Sequence, residues 1–387
     1  MHLVSTFLSI PLVALVLAAA PAPFLVTPSQ AAAAKPAANK ICSPYVVRRD
    51  GEIIEDLHIV VKGKKPAILI NGKSDVIVRN VKIYHAQGPG IVVKRSSNVK
   101  IDNTHVENVA APVFGPLTGR NAVSRENIRV DRSTDVTISA SQFKRGSAGV
   151  YVVQGENVKI TDVAGYDFRG PFPRGQFVQF NQSQNPTLDG FAVINPGDTS
   201  WTEDAINSYA SVEPVIRNGY IEGVNSPTGI GVQIENGEGG FGGLIENVDV
   251  RYWVNGAFMA ASSASQVTFK NVRACDGISA GDNQNDRLRV GVDGKAVPSL
   301  KAWAGRNYRG LPRSGQEAFF TFEVGSPTIQ FVNARYFNLA LEDRIAWGEE
   351  WMSAAEFSRA ASCDPAPELA EMINSIREWS DPTDTDC

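Results

Sequence analysis

The residues best suited to chemistry stand in "TEDAINSY" (202–209) and, one repeat further on, in "GVQIENG" (231–237). The first holds two adjacent carboxylates, Glu203 and Asp204, and the second adds Glu235. Two carboxyl groups held at a fixed spacing can divide the cleavage of a glycosidic bond. One protonates the leaving oxygen and the other serves as base or nucleophile. A neighbouring acid raises the pKa of one partner and keeps it protonated for that role. Amides, a phenol and arginines gather nearby: Arg169 and Arg174 in "FRGPFPRGQ", Gln179 and Asn181 in "QFVQFNQ", then Asn207, Tyr209 and Gln233. Amides recognise sugar hydroxyls, tyrosine stacks or donates, and arginine suits a carboxylate or sulfate on a sugar. The plain alternative is that the amides form structural ladders and the arginines pair with surface acids. Trp201, just before the acids, is either a sugar-stacking platform or loop packing.

Positioning such a set requires regular elements, and the chain supplies a repeat. A polar or small residue, alternating apolar residues, Asn or Asp, then a further apolar pair recur in "SDVIVRNVKI" from Ser74, "SNVKIDNTHV" from Ser97, "TDVTISASQF" from Thr134 and "ENVKITDVAG" from Glu156. Looser copies begin at Asn185, Glu213, Gly242, Ser265 and Ser326, most of them 22 to 29 residues apart. Longer gaps fit an inserted loop near "AAPVFGPLTGR" and an excursion over 276–326. No single repeat can bury its own apolar face, so stacked repeats must share one core. Period-2 alternation predicts coils of β-strand, and Asn or Asp after the strand suits a tight left-handed bend and an axial amide ladder. Each coil holds a second strand: 90–94, 149–154, 176–182, 204–211, 231–237 and 256–262. Alternation turns Val178/Phe180, Ile206/Ser208 and Val232/Ile234 inward. Two outward rows follow, Gln179–Asn207–Gln233 and Asn181–Tyr209–Glu235. With strands about 4.8 Å apart, the patch spans about 10 Å, or one to two sugar rings.

This pattern resembles the right-handed parallel β-helix of the pectin-lyase-like superfamily over roughly residues 44–340. The resemblance implies an all-β parallel solenoid and leaves the chemistry open among lyases, hydrolases, epimerases and tailspikes. "TEDAINSY … TGIGVQIENGEGG" is also similar to the polygalacturonase-type hydrolases, with Glu203 and Asp204 at their paired acids and Gly229–Ile230–Gly231 at their Gly-His-Gly position. Ile230 stands where that family has histidine, its Arg-x-Lys is absent, and Asn195 and Asp198 only echo its Asn-x-Asp. The resemblance therefore implies a carboxylate site and not a pectinase.

The remaining sequence sets the context. "FLSIPLVALVLAAAPAPFLV" reads as a signal peptide ending near residue 33, followed by a linker over 34–43, so the expected location is periplasmic or secreted. The four cysteines, Cys42, Cys275, Cys363 and Cys387, lack CxxC spacing and predict disulfides. Cys275–Cys363 and Cys363–Cys387 are candidate pairs, and three connectivities stay open. Residues 341–387 are expected to hold a short helical cap over the open end of the solenoid, from "SAAEFSRAA" and "PELAEMINSIREWS", with Leu369, Met372, Ile373 and Ile376 on one stripe. Net charge is −4 and unevenly placed, with +7 over 41–150 and −13 over 151–387, and Lys35 and Lys40 outside both ranges. That asymmetry could steer an anionic polymer to the basic end, and no nucleic-acid module is recognisable. Bound Ca²⁺ is conceivable on Glu203, Asp204 and Glu235, although no ligand spacing supports it. The mature histidines, His58, His85 and His105, fall in early coils as surface or bend residues. The expected function is cleavage of an acidic extracellular polysaccharide by a glycoside hydrolase. Asp204 is the acid, Glu235 or Glu203 the base, and Arg169, Arg174, Gln179, Asn181, Asn207, Tyr209, Gln233 and Trp201 meet substrate. A lyase on the same fold and a non-catalytic polysaccharide-binding solenoid are the alternatives.

Overall fold

Short apolar alternations cannot fold alone, and here they are wound into one parallel β-solenoid. The computed structural model describes residues 39–110, 125–170, 174–196, 199–224, 229–237, 239–253, 256–275, 319–322, 329–338, 343–347, 364–380, 382 and 385–387. A ten-stranded sheet runs through Ile68–Asn71, Ile91–Lys94, Ile128–Asp131, Ala148–Val153, Gln176–Asn181, Ile206–Tyr209, Ile230–Glu235, Gly256–Ala261 and Phe319–Phe322, preceded by Tyr45–Val46. Its neighbours pair in parallel, coil on coil. The repeat copies form the other, larger sheet, in which Lys159–Tyr166, Thr187–Ile194, Val215–Val224 and Gly243–Trp253 stack in turn. The end of the long excursion is therefore a strand of the coil, since Phe319–Phe322 pairs with Gly256–Ala261. Residues 276–318, and the loop over 111–124, lie outside the described residues.

The corners explain the register. Asn80, Asn103, Asp162, Asn218, Asn247, Asn271 and Asn333 all have φ between 46° and 55°. Their amides bond along the axis from Asn103 to Asn80, Asn247 to Asn218, Asn271 to Asn247 and Asn333 to Asn271. A second column does the same through Asn98 to Asp75, Asn157 to Asp135 and Asn185 to Asn157. Asn and Asp tolerate this left-handed region because their short polar side chains bond locally. Serines close another corner: the hydroxyls of Ser96, Ser133, Ser183 and Ser211 each accept an N–H from the coil before.

The interior is Val, Ile and Phe, and the inward pairs expected from alternation are buried. Phe143, Phe168 and Phe191 each pack at a tilt against Phe177 in the interior. Room for it comes from Gly165, where a Cβ would sit 2.5 Å from the Phe177 ring.

Two expectations need correction. The helix Pro367–Arg377 does not close the open end of the solenoid. It lies along the flank, burying Leu369, Ile373 and Ile376 against Ala164, Ala192, Ile194 and Tyr220. Those coils carry small or aromatic outward residues that leave an apolar strip, which the amphipathic stripe covers. Met372 is partly buried there, and "SAAEFSRAA" lies outside the described residues. Past the helix, Trp379 packs edge-on against both Tyr166 and His105, and Lys144 donates to the Ser380 carbonyl at 3.1 Å. A Cys42–Cys387 disulfide then fixes the strap to the first coil. This excludes Cys363–Cys387; Cys275 is also disulfide-bonded, and Cys363 lies outside the described residues. The second correction concerns histidine. His58 and His85 are buried. Burial holds His85 down to about 4, with Nδ1 facing the Gly88 carbonyl at 2.7 Å and Nε2 facing Asn127 Oδ1 at 3.3 Å.

Because the disulfide spans 345 residues of sequence, Cys387→Ser should cost about 2–5 kcal/mol. The expected result is a lower thermal midpoint together with faster amide exchange in the helix Pro367–Arg377. An unchanged midpoint would show that the flank contacts alone hold the strap.

Candidate functional site

Register places the outward residues in columns. Gln179 pairs with Asn207 and Asn207 with Gln233, while Asn181 pairs with Tyr209 and Tyr209 with Glu235. Both expected rows exist. One coil earlier, Tyr151 stands in register with Gln179. One coil later, Met259 and Ala261 follow Gln233 and Glu235, and they are buried with Ile230. The polar patch therefore runs from Tyr151 to Glu235 and stops at an apolar boundary.

Asp204 and Glu203 come from the segment that turns the chain into the strand Ile206–Tyr209, and both are buried. Asp204 is only 6% exposed. Its Oδ1 accepts the Ile230 N–H at 2.9 Å and its Oδ2 accepts Asn207 Nδ2 at 3.0 Å. Thus Ile230 contributes its backbone to the site. The same Asn207 nitrogen donates to Glu235 Oε2 at 2.9 Å. The two carboxylate oxygens that share this nitrogen are therefore less than about 6 Å apart. Burial pushes the Asp204 carboxyl well above its ordinary range, and the charges of Glu203 and Glu235 push it further. The bonds from Ile230 and Asn207 oppose this only in part.

The amides continue upstream. Gln179 Nε2 approaches Asn207 Oδ1 at 3.5 Å, and Arg174 Nη1 donates to Gln179 Oε1 at 2.7 Å. The Arg174 guanidinium lies 4.2 Å from the centre of the Tyr151 ring, a cation–π stack, and Arg129 approaches the same ring at 5.4 Å. Asn181 Nδ2 lies 3.4 Å from the Tyr151 hydroxyl. Tyr209 is 39% exposed and lies over the backbone of Gly237, where a Cβ would sit 3.5 Å from the ring.

The structure thus gathers Arg174, Gln179, Asn181, Asn207, Tyr209, Gln233, Asp204, Glu203 and Glu235 on or beneath one face. It does not gather Arg169 or Trp201. Arg169 is bound to Asp167 through one guanidinium edge, with Nε to Oδ1 at 2.9 Å and Nη2 to Oδ2. Asp167 also accepts from Thr199 and Ser200. Trp201 is 3% exposed and its backbone bridges to Phe168 and Gly170, so it is loop packing and not a stacking platform. Asn195 holds a corner, accepting the Phe168 N–H and donating to the Gly223 carbonyl; Asp198 lies outside the described residues. Among the described residues no group of three or more His, Cys, Asp or Glu has metal-holding geometry. Tyr151 is the residue that the sequence reading passed over. The alternation that turned Gln179 outward also turns Tyr151 outward in "GVYVVQ", and that signal sufficed to find it.

A family model described as "Right handed beta helix region" matches residues 66–273. No curated protein matches the chain. Among solved structures, an alginate lyase from Paenibacillus sp. shares 10% identity over 76% of this chain and 98% of its own, with a TM-score of 0.44. A GH87 alpha-1,3-glucanase catalytic domain in complex with nigerose shares 12% over 77% of this chain and 57% of its own, TM-score 0.43. The A-module of an Azotobacter vinelandii mannuronan C-5 epimerase shares 8% over 77% and 85%, TM-score 0.41. From the matched coils, the chain belongs to the right-handed β-helix family.

Proposed function

We propose that the protein is an exported carbohydrate-active enzyme that cleaves an acidic extracellular polysaccharide, and that it does so as a glycoside hydrolase. The observation that carries this reading is the pair Asp204 and Glu235, bridged by one Asn207 nitrogen at the floor of an outward polar face. Asp204, held protonated by burial and by its acidic neighbours, is the general acid for the glycosidic oxygen. Glu235, the less buried partner, is the second carboxylate. Held on one nitrogen, the two oxygens are closer than the roughly 6.5–9.5 Å of an inverting pair, which suits the retaining geometry, in which that carboxylate attacks the anomeric carbon and the first then deprotonates water. Glu203 acts through its charge on Asp204. Gln179, Asn181 and Gln233 offer amides to sugar hydroxyls, and Tyr209 offers a ring face. Arg174 has no carboxylate partner among the described residues, which suits an acidic sugar. Export is supported by the apolar stretch at the start of the sequence and by paired cysteines.

A second reading, β-elimination, is favoured by Arg174 alone. Stacked on Tyr151 with donors to spare, it could neutralise a uronate carboxylate, with Tyr209 as proton carrier.

Both readings are separated by one assay on a panel of acidic polysaccharides, following reducing ends and the ultraviolet absorbance of unsaturated uronate together. Hydrolysis gives reducing ends without absorbance, and Asp204→Asn or Glu235→Gln should lower turnover by about 10²–10⁴-fold. Absorbance with the new ends selects elimination. Binding without cleavage selects a binding module, and undiminished turnover in both variants removes the assigned acids.

The raised Asp204 pKa also has a stability signature. A carboxyl that holds its proton more tightly when folded makes the native state the better proton binder, so stability falls as pH rises from the ordinary aspartate range through the raised value. Asp204→Asn has no such titration. Thermal midpoints measured across pH should show the wild type losing stability relative to Asp204→Asn as pH rises. Parallel curves would mean that Asp204 titrates normally.

A further inference from the structure

Asn207 was expected to meet substrate, but it is buried and every polar atom of its amide is engaged. Its orientation follows from a group two side chains away. An arginine can only donate, so Gln179 must turn its oxygen to Arg174 and its nitrogen to Asn207. Asn207 must then turn its oxygen to Gln179, which leaves both amide hydrogens for Asp204 and Glu235. The distances agree at every step: 2.7 Å from Arg174 to Gln179, 3.5 Å from Gln179 to Asn207, and 3.0 and 2.9 Å from Asn207 to the carboxylates. The opposite amide orientation would set the Asn207 oxygen against both carboxylates and the Gln179 nitrogen, also a donor, against Arg174.

We propose that Asn207 is a positioning residue, set by the Arg174–Gln179 relay, that fixes the spacing of Asp204 and Glu235 by sharing its two amide hydrogens between them. The proposal rests on the reading of these two as the reacting pair and deepens it. Without the amide, two carboxylates and the adjacent Glu203 would face one another with nothing between them, and the pair would open or take up a further proton. The charged and titratable groups facing it are Glu203 beside Asp204, and Arg174, Tyr151 and Arg129 at the head of the relay. Arg174 therefore serves two purposes: its spare donors meet an acidic sugar, and its committed donor sets the polarity of the amides that hold the acids.

The test needs no substrate. In the full chain labelled with ¹³C at Asp and Glu carboxyls, Asp204→Asn and Glu235→Gln identify the two signals, and their midpoints are followed through a pH titration. In Asn207→Ala, which removes a donor to both carboxylates, the upper midpoint is expected to rise by about one pH unit, a tenfold gain in proton affinity. Gln179→Leu leaves Asn207 in place but frees its orientation, and a smaller rise is expected. If Asn207→Ala fails to fold, the Gln179→Leu titration decides alone. Where a cleaved polymer is known, the limbs of the pH–rate profile should move upward in step, which a merely packed residue would not cause. Unmoved midpoints in folded variants overturn the proposal even if a polymer is cut. Shifted midpoints with no polymer cut sustain the positioning role and leave the hydrolase reading as the part that failed.

Discussion

Every coil of this solenoid must bend at the same place as the coil beneath it. Parallel strands stay paired only if successive corners superimpose, and the corners superimpose because corresponding residues take the left-handed backbone, mostly Asn or Asp at two corners and Arg95, Arg132, Gln154, Gln182 and Ala210 at another. The amide ladders that run up those corners are the visible result. All else depends on that constraint. It sets the two rows of outward residues, it brings side chains 28 residues apart in sequence into contact, and it leaves an interior filled mostly by Val, Ile and Phe.

The candidate site follows from that stacking and adds one feature of its own, a directional chain of hydrogen bonds. The donor-only guanidinium at one end and the carboxylates at the other leave the amides between them a single orientation. Electrostatics and geometry therefore act together. The buried acids would repel, and the bridge that separates them is the group whose hydrogens make their charge tolerable. The apolar boundary at Met259 and Ala261 gives the patch an end, so one side of the carboxylates is rich in polar contacts and the other is closed.

Much of this was legible in the sequence, for a physical reason. Side-chain direction in a strand has a period of two, so "QFVQFNQ", "DAINSYAS" and "GVQIENG" declare which residues face out, and equal spacing declares which ones stack. Gln179, Asn207 and Gln233 were found in this way. Trp201 and Arg169 were misjudged because they lie in connections, where no period governs direction. The first is packed into its loop and the second is taken by Asp167 two residues away. The flank position of the helix was also out of reach. Its stripe announced an apolar partner but not which one, since the strip formed by Ala164, Ala192 and Tyr220 exists only after the coils are stacked. The role of Asn207 needed atoms: an outward asparagine reads as a ligand for sugar until both its hydrogens are seen to be used.

The strap places a condition on the order of assembly. Coils of a solenoid can form one upon another as chain becomes available, each resting on the last. The first coil here is different, because its covalent partner is Cys387. During synthesis it must wait with an unpaired thiol, and with the aromatic flank around Tyr84, His105 and Tyr166 uncovered, until the segment around Cys387 arrives. Local coils can thus be complete long before the molecule is closed, and the interval between the two is where an oxidant or a folding helper would act.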